Sequence, residues 1–556
     1  MSQKNIHNVR FSKIIAIIVV CVMLSIPFVS CSNNPSQQVD GTPSPQKTEP
    51  ASDARYIPDP EKPAYQLDPK EDTTLTWYVN ADWWNTDFGN DPVTRTIKEK
   101  LKVNIEFTTG DDTKLNSLFG SGELPDIVTV FDTQSVTAKK AASWALPLND
   151  LADQYDPYFY KVADPQTLSW HQLEDGKTYG YPSYSNTVED YEAGWLQPTD
   201  FFVIREDIYK AIGEPGMATE EEFLNALRKI KEQFPDVLPL GMRSFAGGST
   251  GSMGNKFQDF LGVPLSNEDG TYYDRNLDPE YLRWIGTFNK AYREGLISDD
   301  TFADDNTAFE EKVAGGRYAA MFISGAPQLS GALQKNIAAD PVCKYIAVDG
   351  PKSSLGNEPT LSQSGISGWT ITFISKNCKD PAKAIQLFTY LISDEGQCLY
   401  YYGVQGETFE IDGNGKYTIL PEVLKERDTN PDNYKKVYRL GEFCLFGHDS
   451  FPALHGKDTG IEATRQMVEW GKGKVKPQFL LENINPAEGT AEARNLTNIN
   501  AQWATTLATL LRAPDDAAFD QTLEEYKTFL KNTGWDEIVK GFNEKMKANA
   551  EKLKLN

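Results

Sequence analysis

The sequence is poor in the residues that build metal and redox chemistry. It holds four His and six Cys in 556 residues, too few His for a multi-histidine metal site. Cys343, Cys378, Cys398 and Cys444 show neither a CxxC nor a His-partnered spacing of the kind zinc requires. Cys378 and Cys398 flank one predicted helix, which sets them roughly 25 Å apart and excludes a disulfide between them. All four are expected to be small core residues. Long basic patches are also missing. With 79 acidic against 55 basic residues, the net charge is −24, a surface that should repel nucleic acid and polyanions. Past the first thirty residues no hydrophobic segment approaches membrane length. The run Gly247-Gly-Ser-Thr-Gly-Ser-Met-Gly254 lacks the order of a phosphate-binding loop and a strand before it, and reads as a mobile loop. Asp412-Gly-Asn-Gly415 lacks the downstream Glu that closes a calcium loop, and reads as a hairpin turn. No cofactor and no metal is expected.

What is present begins at the N-terminus. Lys4, Arg10 and Lys13 precede an uninterrupted apolar run from Ile14 to Leu24, too short to span a bilayer of ~30 Å as a helix. Ser25 to Ser30 then lead into Cys31. Charged, apolar and small-residue regions in that order describe a secretory signal over residues 1–30. The Cys directly after the cut resembles the bacterial lipobox, with Phe28 where Leu is usual. The resemblance implies a diacylated Cys31 that anchors the chain on the extracytoplasmic face of the cell membrane, since two acyl chains suffice for stable attachment. Residues 31–72, rich in Pro, Ser, Gln and Asp, are expected to form a disordered tether.

The body from Thr73 onward, roughly 480 residues, is long enough for two or more domains. Leu75 to Asn80, Val103 to Phe107 and Asp126 to Val130 read as strands, separated by helices that begin at Asp91-Pro92 and end at Gly120-Ser121-Gly122. The pattern restarts with Asp175-Gly176 before Tyr179 to Pro182, then a buried strand at Phe201 to Arg205. Thr219-Glu-Glu-Glu222 is a capping box. Tyr318 to Ile323 and Trp369 to Ile374 are further strands. Asp380-Pro381 starts another helix, and the chain beyond about residue 487 reads as helical. Alternating strands and helices imply mainly parallel sheets covered by helices.

Several of these stretches resemble the extracellular solute-binding proteins of ABC importers. They are Leu115-Asn-Ser-Leu-Phe-Gly-Ser-Gly-Glu-Leu-Pro-Asp-Ile-Val128, Leu146-Pro-Leu-Asn-Asp-Leu151, Asp175-Gly-Lys-Thr-Tyr-Gly-Tyr-Pro182, Phe202-Val-Ile-Arg-Glu-Asp207, Tyr292-Arg-Glu-Gly-Leu-Ile297 and Trp369 to Gly396. Their order along the chain matches, and the nearest branch is the large lipoprotein type associated with oligosaccharide uptake. The resemblance implies an α/β protein of two lobes with a ligand cleft between them. The N-terminal lobe is expected at 73–187 plus 343–405 and the C-terminal lobe at 190–340 plus 406–556. It also implies an oligosaccharide ligand, ABC permease subunits as partners, a monomer, and no enzymatic activity.

Ligands of parallel α/β sheets meet the loops at the carboxyl ends of strands. Asn80-Ala-Asp-Trp-Trp84 is the first such loop. Asp82, Trp83 and Trp84 suit a sugar, whose C–H face lies on an indole and whose hydroxyls donate to a carboxylate. By resemblance to maltose-type binding proteins, Asp82 and Trp83 sit where sugar contacts arise. Phe131 and Asp132 follow the next strand. Tyr184 lies in the expected hinge, Trp195 before the second lobe's first strand, and Ser324 at the end of the Tyr318 strand. Maltose-type relatives place a Trp just after that last point, and Ala326-Pro327 here lacks it. Trp369 follows the Gly365 to Gly368 break. Trp284, on the apolar side of a helix, reads as core. Some relatives carry a calcium loop where this chain has Gln233-Phe-Pro-Asp-Val-Leu238. A peptide or other polar solute in the same fold, or a surface glycan-degrading enzyme with paired carboxylates, remain the alternatives.

Overall fold

Short runs of β-branched and aromatic residues set two sheets. The computed structural model describes residues 55–243, 245–456 and 461–555, and residues from Arg55 onward form one compact unit. The signal segment, Cys31 and the tether up to residue 54 lie outside the described residues. In chain order the main strands are β1 (Thr73–Val79), β2 (Val103–Thr109), β3 (Ile127–Val130), β4 (Gly180–Pro182), β5 (Phe201–Arg205), β6 (Leu238–Met242), β7 (Tyr318–Ile323), β8 (Tyr345–Ala347) and β9 (Ile371–Ile374). The first sheet has the order β2-β1-β3-β9-β4 and the second β6-β7-β5-β8. A hairpin of Phe409–Ile411 and Tyr417–Ile419 closes on the Asp412-Gly413-Asn414-Gly415 turn.

Each sheet carries one reversed strand. β1, β2, β3 and β4 run one way, while β9 is antiparallel to both β3 and β4. β6, β7 and β8 run together, and β5 opposes β7 and β8. The expectation of mainly parallel sheets thus holds for strand direction but not for pairing, which is mixed. The reason is the crossover. A chain that leaves one sheet at its carboxyl edge enters the other sheet from the side facing the first, and so runs against its neighbours.

Both faces of each sheet are covered. Leu75, Trp77 and Val79 enter one core while Tyr78 enters another. Likewise Phe202 and Ile204 face one core, and Phe201 and Val203 the opposite one. This is the two-residue alternation of a strand buried on both sides. Helices begin where their caps allow. Asp91 accepts from the Thr94 amide at 2.9 Å ahead of Pro92–Leu101, and Thr219 and Glu222 form the capping box of Glu220–Gln233. The C-terminal helices Ala491–Leu511, Asp516–Asn532 and Trp535–Leu553 pack on the second lobe through Trp503, Leu507, Tyr526 and Phe542. Trp284 is fully buried there, as its helix pattern indicates.

Three sequence expectations need correction. The tether ends before residue 55, because the Pro-rich stretch that follows is strapped to the first lobe by charge. Arg55 binds Asp68 at 2.9 Å and Asp380 at 2.8 Å, Lys70 reaches Asp380, and Lys383 lies 3.4 Å from the fully buried Asp68. The Tyr56 hydroxyl accepts from Gln386 Nε2. The lobe boundaries also move. β8 pairs with β5, so residues 345–347 belong to the second sheet. Val423, Tyr434, Leu440, Phe443 and Phe446 pack with Leu75 and Trp77, so the stretch after residue 406 stays with the first lobe. β8 is a three-residue strand, too short an apolar run to announce itself, and 421–437 relies on isolated apolar anchors. Finally, of the four Cys only Cys444 is buried, the others being half-buried, and all are free.

Candidate functional site

The crossing segments form a hinge with its own hydrogen bonds. The Ser183 amide donates to Thr370 O and the Trp369 amide to Ser183 O, both at 2.9 Å, and the Asn186 amide donates to Gly365 O at 3.1 Å. Gly368 sits at φ +72°, and a Cβ there would stand 2.4 Å from Ser183 O, so a side chain would push the two crossing strands apart. Phe451 lies in a cluster with Tyr402, and Ala463 packs on the second sheet.

At the carboxyl end of the first sheet, beside this hinge, aromatic rings gather. The Trp83 and Trp369 indoles lie within 10° of parallel with centroids 6.4 Å apart. Phe131 stands edge-on to both, at 5.5 and 5.1 Å. The Tyr184 ring is 6.3 Å from Trp369, with its hydroxyl bonded to that of Tyr400 and its backbone at φ +50°. Trp83 is 60% exposed and Trp369 41%. Indoles this open in a protein with ample core are unusual and point to a binding surface. Asp82 is exposed next to them. Asp132 is exposed too, with Oδ1 accepting from the Gln134 amide at 2.8 Å, which leaves its other oxygen for a ligand.

The remaining sequence candidates lie elsewhere. Trp84 is a core residue, 4% exposed, packed on Phe107 and Phe443 with the Arg439 guanidinium 5.3 Å from its ring centre. It cannot face a ligand while it fills that core. Trp195 is half-buried and lines a separate cavity of about 480 Å³ with Asp190 and His448. Ser324 borders a third cavity, of about 500 Å³, at the carboxyl ends of β6 and β7. Its carbonyl accepts from Arg243 Nη1.

The Gly247–Gly254 run reads from sequence as a loop without a strand before it, but β6 ends at Met242 just ahead of it. Part of the run lines that last cavity, with residues the sequence does not single out. Arg243, Asn306 and the Gly247 to Gly251 loop line it, and no carboxylate among the described residues forms an ion pair with Arg243. The loop directly follows β6, so it is a strand-end loop. Recognising Leu238–Met242 as a strand would have singled it out. Nearby, the buried Asp200 binds Lys256 at 3.1 Å and accepts from the Gly325 amide at 3.1 Å. The first lobe thus presents rings and the second presents hydrogen-bonding groups. Among the described residues no cluster of His, Cys, Asp and Glu could hold a metal ion.

The model for bacterial extracellular solute-binding proteins matches residues 80–397, more than half of the chain. The chain belongs to that family. This solute-binding protein is 24% identical over 475 residues to lipoprotein LipO of Bacillus subtilis strain 168, covering 80% of this chain and 86% of that one. It is 23% identical over 514 residues to a carbohydrate ABC transporter substrate-binding protein of Streptococcus pneumoniae serotype 4, covering 84% and 90%. The solved structure of the N-glycan transport solute-binding protein of Streptococcus pneumoniae superposes with a TM-score of 0.56 at 17% identity, over 85% of this chain and 99% of that chain. The family comprises extracellular binding proteins rather than enzymes. No helix among the described residues is long and apolar enough to cross a membrane.

Proposed function

We propose that this solute-binding protein captures an oligosaccharide between its lobes and delivers it to the permease subunits of a membrane ABC importer. The observation that carries the reading is the pair of open, nearly parallel indoles of Trp83 and Trp369, buttressed by Phe131 at the hinge. A sugar offers a C–H face to such rings and hydroxyls to Asp82 and Asp132. The second lobe supplies Arg243, Asn306 and Ser324. The names of the curated relatives, a carbohydrate transporter's binding protein and a lipoprotein, support both ligand class and anchoring. Lipid on Cys31 holds the protein on the extracytoplasmic face, and the ligand is bound without turnover.

A glycan array probed with the full mature chain tests the reading. Bound glycans should be recovered intact. Recovery of cleaved glycan would favour a degrading enzyme, and capture of peptides with no glycan bound would change the ligand class.

A further inference from the structure

A cavity of about 260 Å³ lies where the first lobe meets the C-terminal helix. The loop that supplies Phe131 to the aromatic platform also supplies Thr133 and Gln134 to this cavity. Its other polar lining includes Lys139, His171, Asn483, Asn549 and Lys552, and no carboxylate borders it. In a chain with 79 acidic residues that is a marked local exception.

The charges there are uncompensated. Lys552 Nζ donates to Trp170 O at 2.7 Å and stands 5.1 Å from the Trp170 ring centre. Neither contact neutralises an ammonium, and burial alone holds its pKa down. Lys545 is depressed by burial and then by the proximity of Lys139. Lys545, Asn549 and Lys552 recur at helical spacing on Trp535–Leu553 and so share one face. His171 adds an unpartnered polar atom, since its Nε2 is buried with no hydrogen bond. Burial pushes the imidazole down to about 4, so it is neutral at physiological pH and the positive charge comes from the lysines. Lys139 and Lys552 are both exposed and have no carboxylate partner among the described residues, so an anion in the cavity would supply the counter-charge they lack.

From this lining we infer that the cavity takes a singly charged oxyanion, the carboxylate of an acidic sugar residue whose neighbouring ring lies on the aromatic platform. Lys139 and Lys552 pair with the anion, while Asn483 Oδ1, Asn549 Oδ1 and His171 Nε2 serve the adjoining hydroxyls, the Nδ2 groups of both Asn being held by Ser367 Oγ and by the carbonyls of Phe479, Leu480 and Glu482. Net charge opposes a polyanion at long range, but a single carboxylate responds to the local field of two lysines within a screening length of ~8–10 Å. The lining comes from both lobes, with the helix that carries Lys552 packed on the second-lobe core through Phe542 and Met546. An occupant would therefore tie the lobes together. The sugar assignment rests on the carbohydrate reading above, whereas the anion assignment does not.

Two measurements on the full mature chain test it. The first is the melting temperature with sodium glucuronate, glucose or sodium sulfate at matched ionic strength. Glucuronate should raise it in wild type and not in Lys139→Gln or Lys552→Gln. Lys139 and Lys552 are both exposed, so both variants should fold. The second is calorimetric titration with malto-oligosaccharides that carry one terminal glucuronate and with their neutral counterparts. The acidic series should bind more tightly, weaken with salt, and lose about tenfold in affinity in either lysine variant. Stabilisation by sulfate alone, with no glucuronate effect, would mean a free-anion site and overturn the sugar assignment. Glycan binding that the lysine variants leave unchanged would overturn the inference while leaving the carbohydrate reading intact. A lysine-dependent glucuronate shift with no oligosaccharide bound would do the reverse. No shift and no binding would sink both.

Discussion

Adjacent tryptophans that differ only in orientation offer a direct test of the site. Trp83 is 60% exposed and Trp84 4%. An indole face offered to a sugar is a fraction of the 150–250 Å² that a large aromatic can bury, roughly 60–100 Å². At ~25 cal/mol per Å², covering it is worth about 1.5–2.5 kcal/mol, or roughly ten- to sixtyfold in affinity. Trp83→Ala should lose that much binding and little stability, and Trp369→Ala the same. Trp84→Ala should behave oppositely. It empties a site packed on Phe107 and Phe443 and should cost ~3–5 kcal/mol of folding stability. Its indole N–H has no partner to lose, so the cost is one of packing. For a folding unit of 150–250 residues each kcal/mol moves the melting temperature by about 2–4 °C, which predicts a fall of roughly 6–20 °C. Trp284→Ala should resemble Trp84→Ala. Calorimetric titration with a glycan found on the array, paired with melting curves for the four variants, reads both quantities. Wild-type affinity in both Trp83→Ala and Trp369→Ala would refute the placement of the ligand on these rings.

Three further outcomes are expected. Cys31→Ala should release the protein from membranes, and retention after a salt wash would contradict a lipid anchor. A tight ligand touching both lobes should favour the closed state, so small-angle scattering should show a smaller radius at saturation, an unchanged radius arguing for a rigid binder. The strap at residues 55–72 should loosen in acid. Burial raises the Asp380 pKa, but hydrogen bonds from Arg55 and Lys70 outweigh it and hold the carboxyl at about 2. A carboxylate depressed in the folded state stabilises above its unfolded pKa of ~4 and loses that contribution as pH falls from there towards 2. Stability of Asp380→Asn should accordingly vary less with pH over that window than wild type, as acid unfolding curves would show.

Much of the scaffold was legible locally. The caps at Asp91, Thr219 and Asp380, the strands at Phe201–Arg205 and Tyr318–Ile323, and the buried Trp284 follow from residue type and spacing within a few turns of chain. The direction of most strands was legible too, since alternation with helices sets it, but not that of β5 and β9, which run against their neighbours. What could not be read was everything decided by distant partners. Whether Trp83 or Trp84 turns outward depends on Phe443, which arrives from the far end of the sequence to complete the core. The strap depends on Arg55 and Asp68 finding Asp380 and Lys383, and the cationic cavity on a C-terminal helix reaching Trp170. Local sequence carries propensity and periodicity, so it determined the elements and the family of folds they build. Burial and electrostatic compensation are properties of the assembled chain, and only the tertiary structure could decide which indoles stay open and which lysines lack a counter-charge.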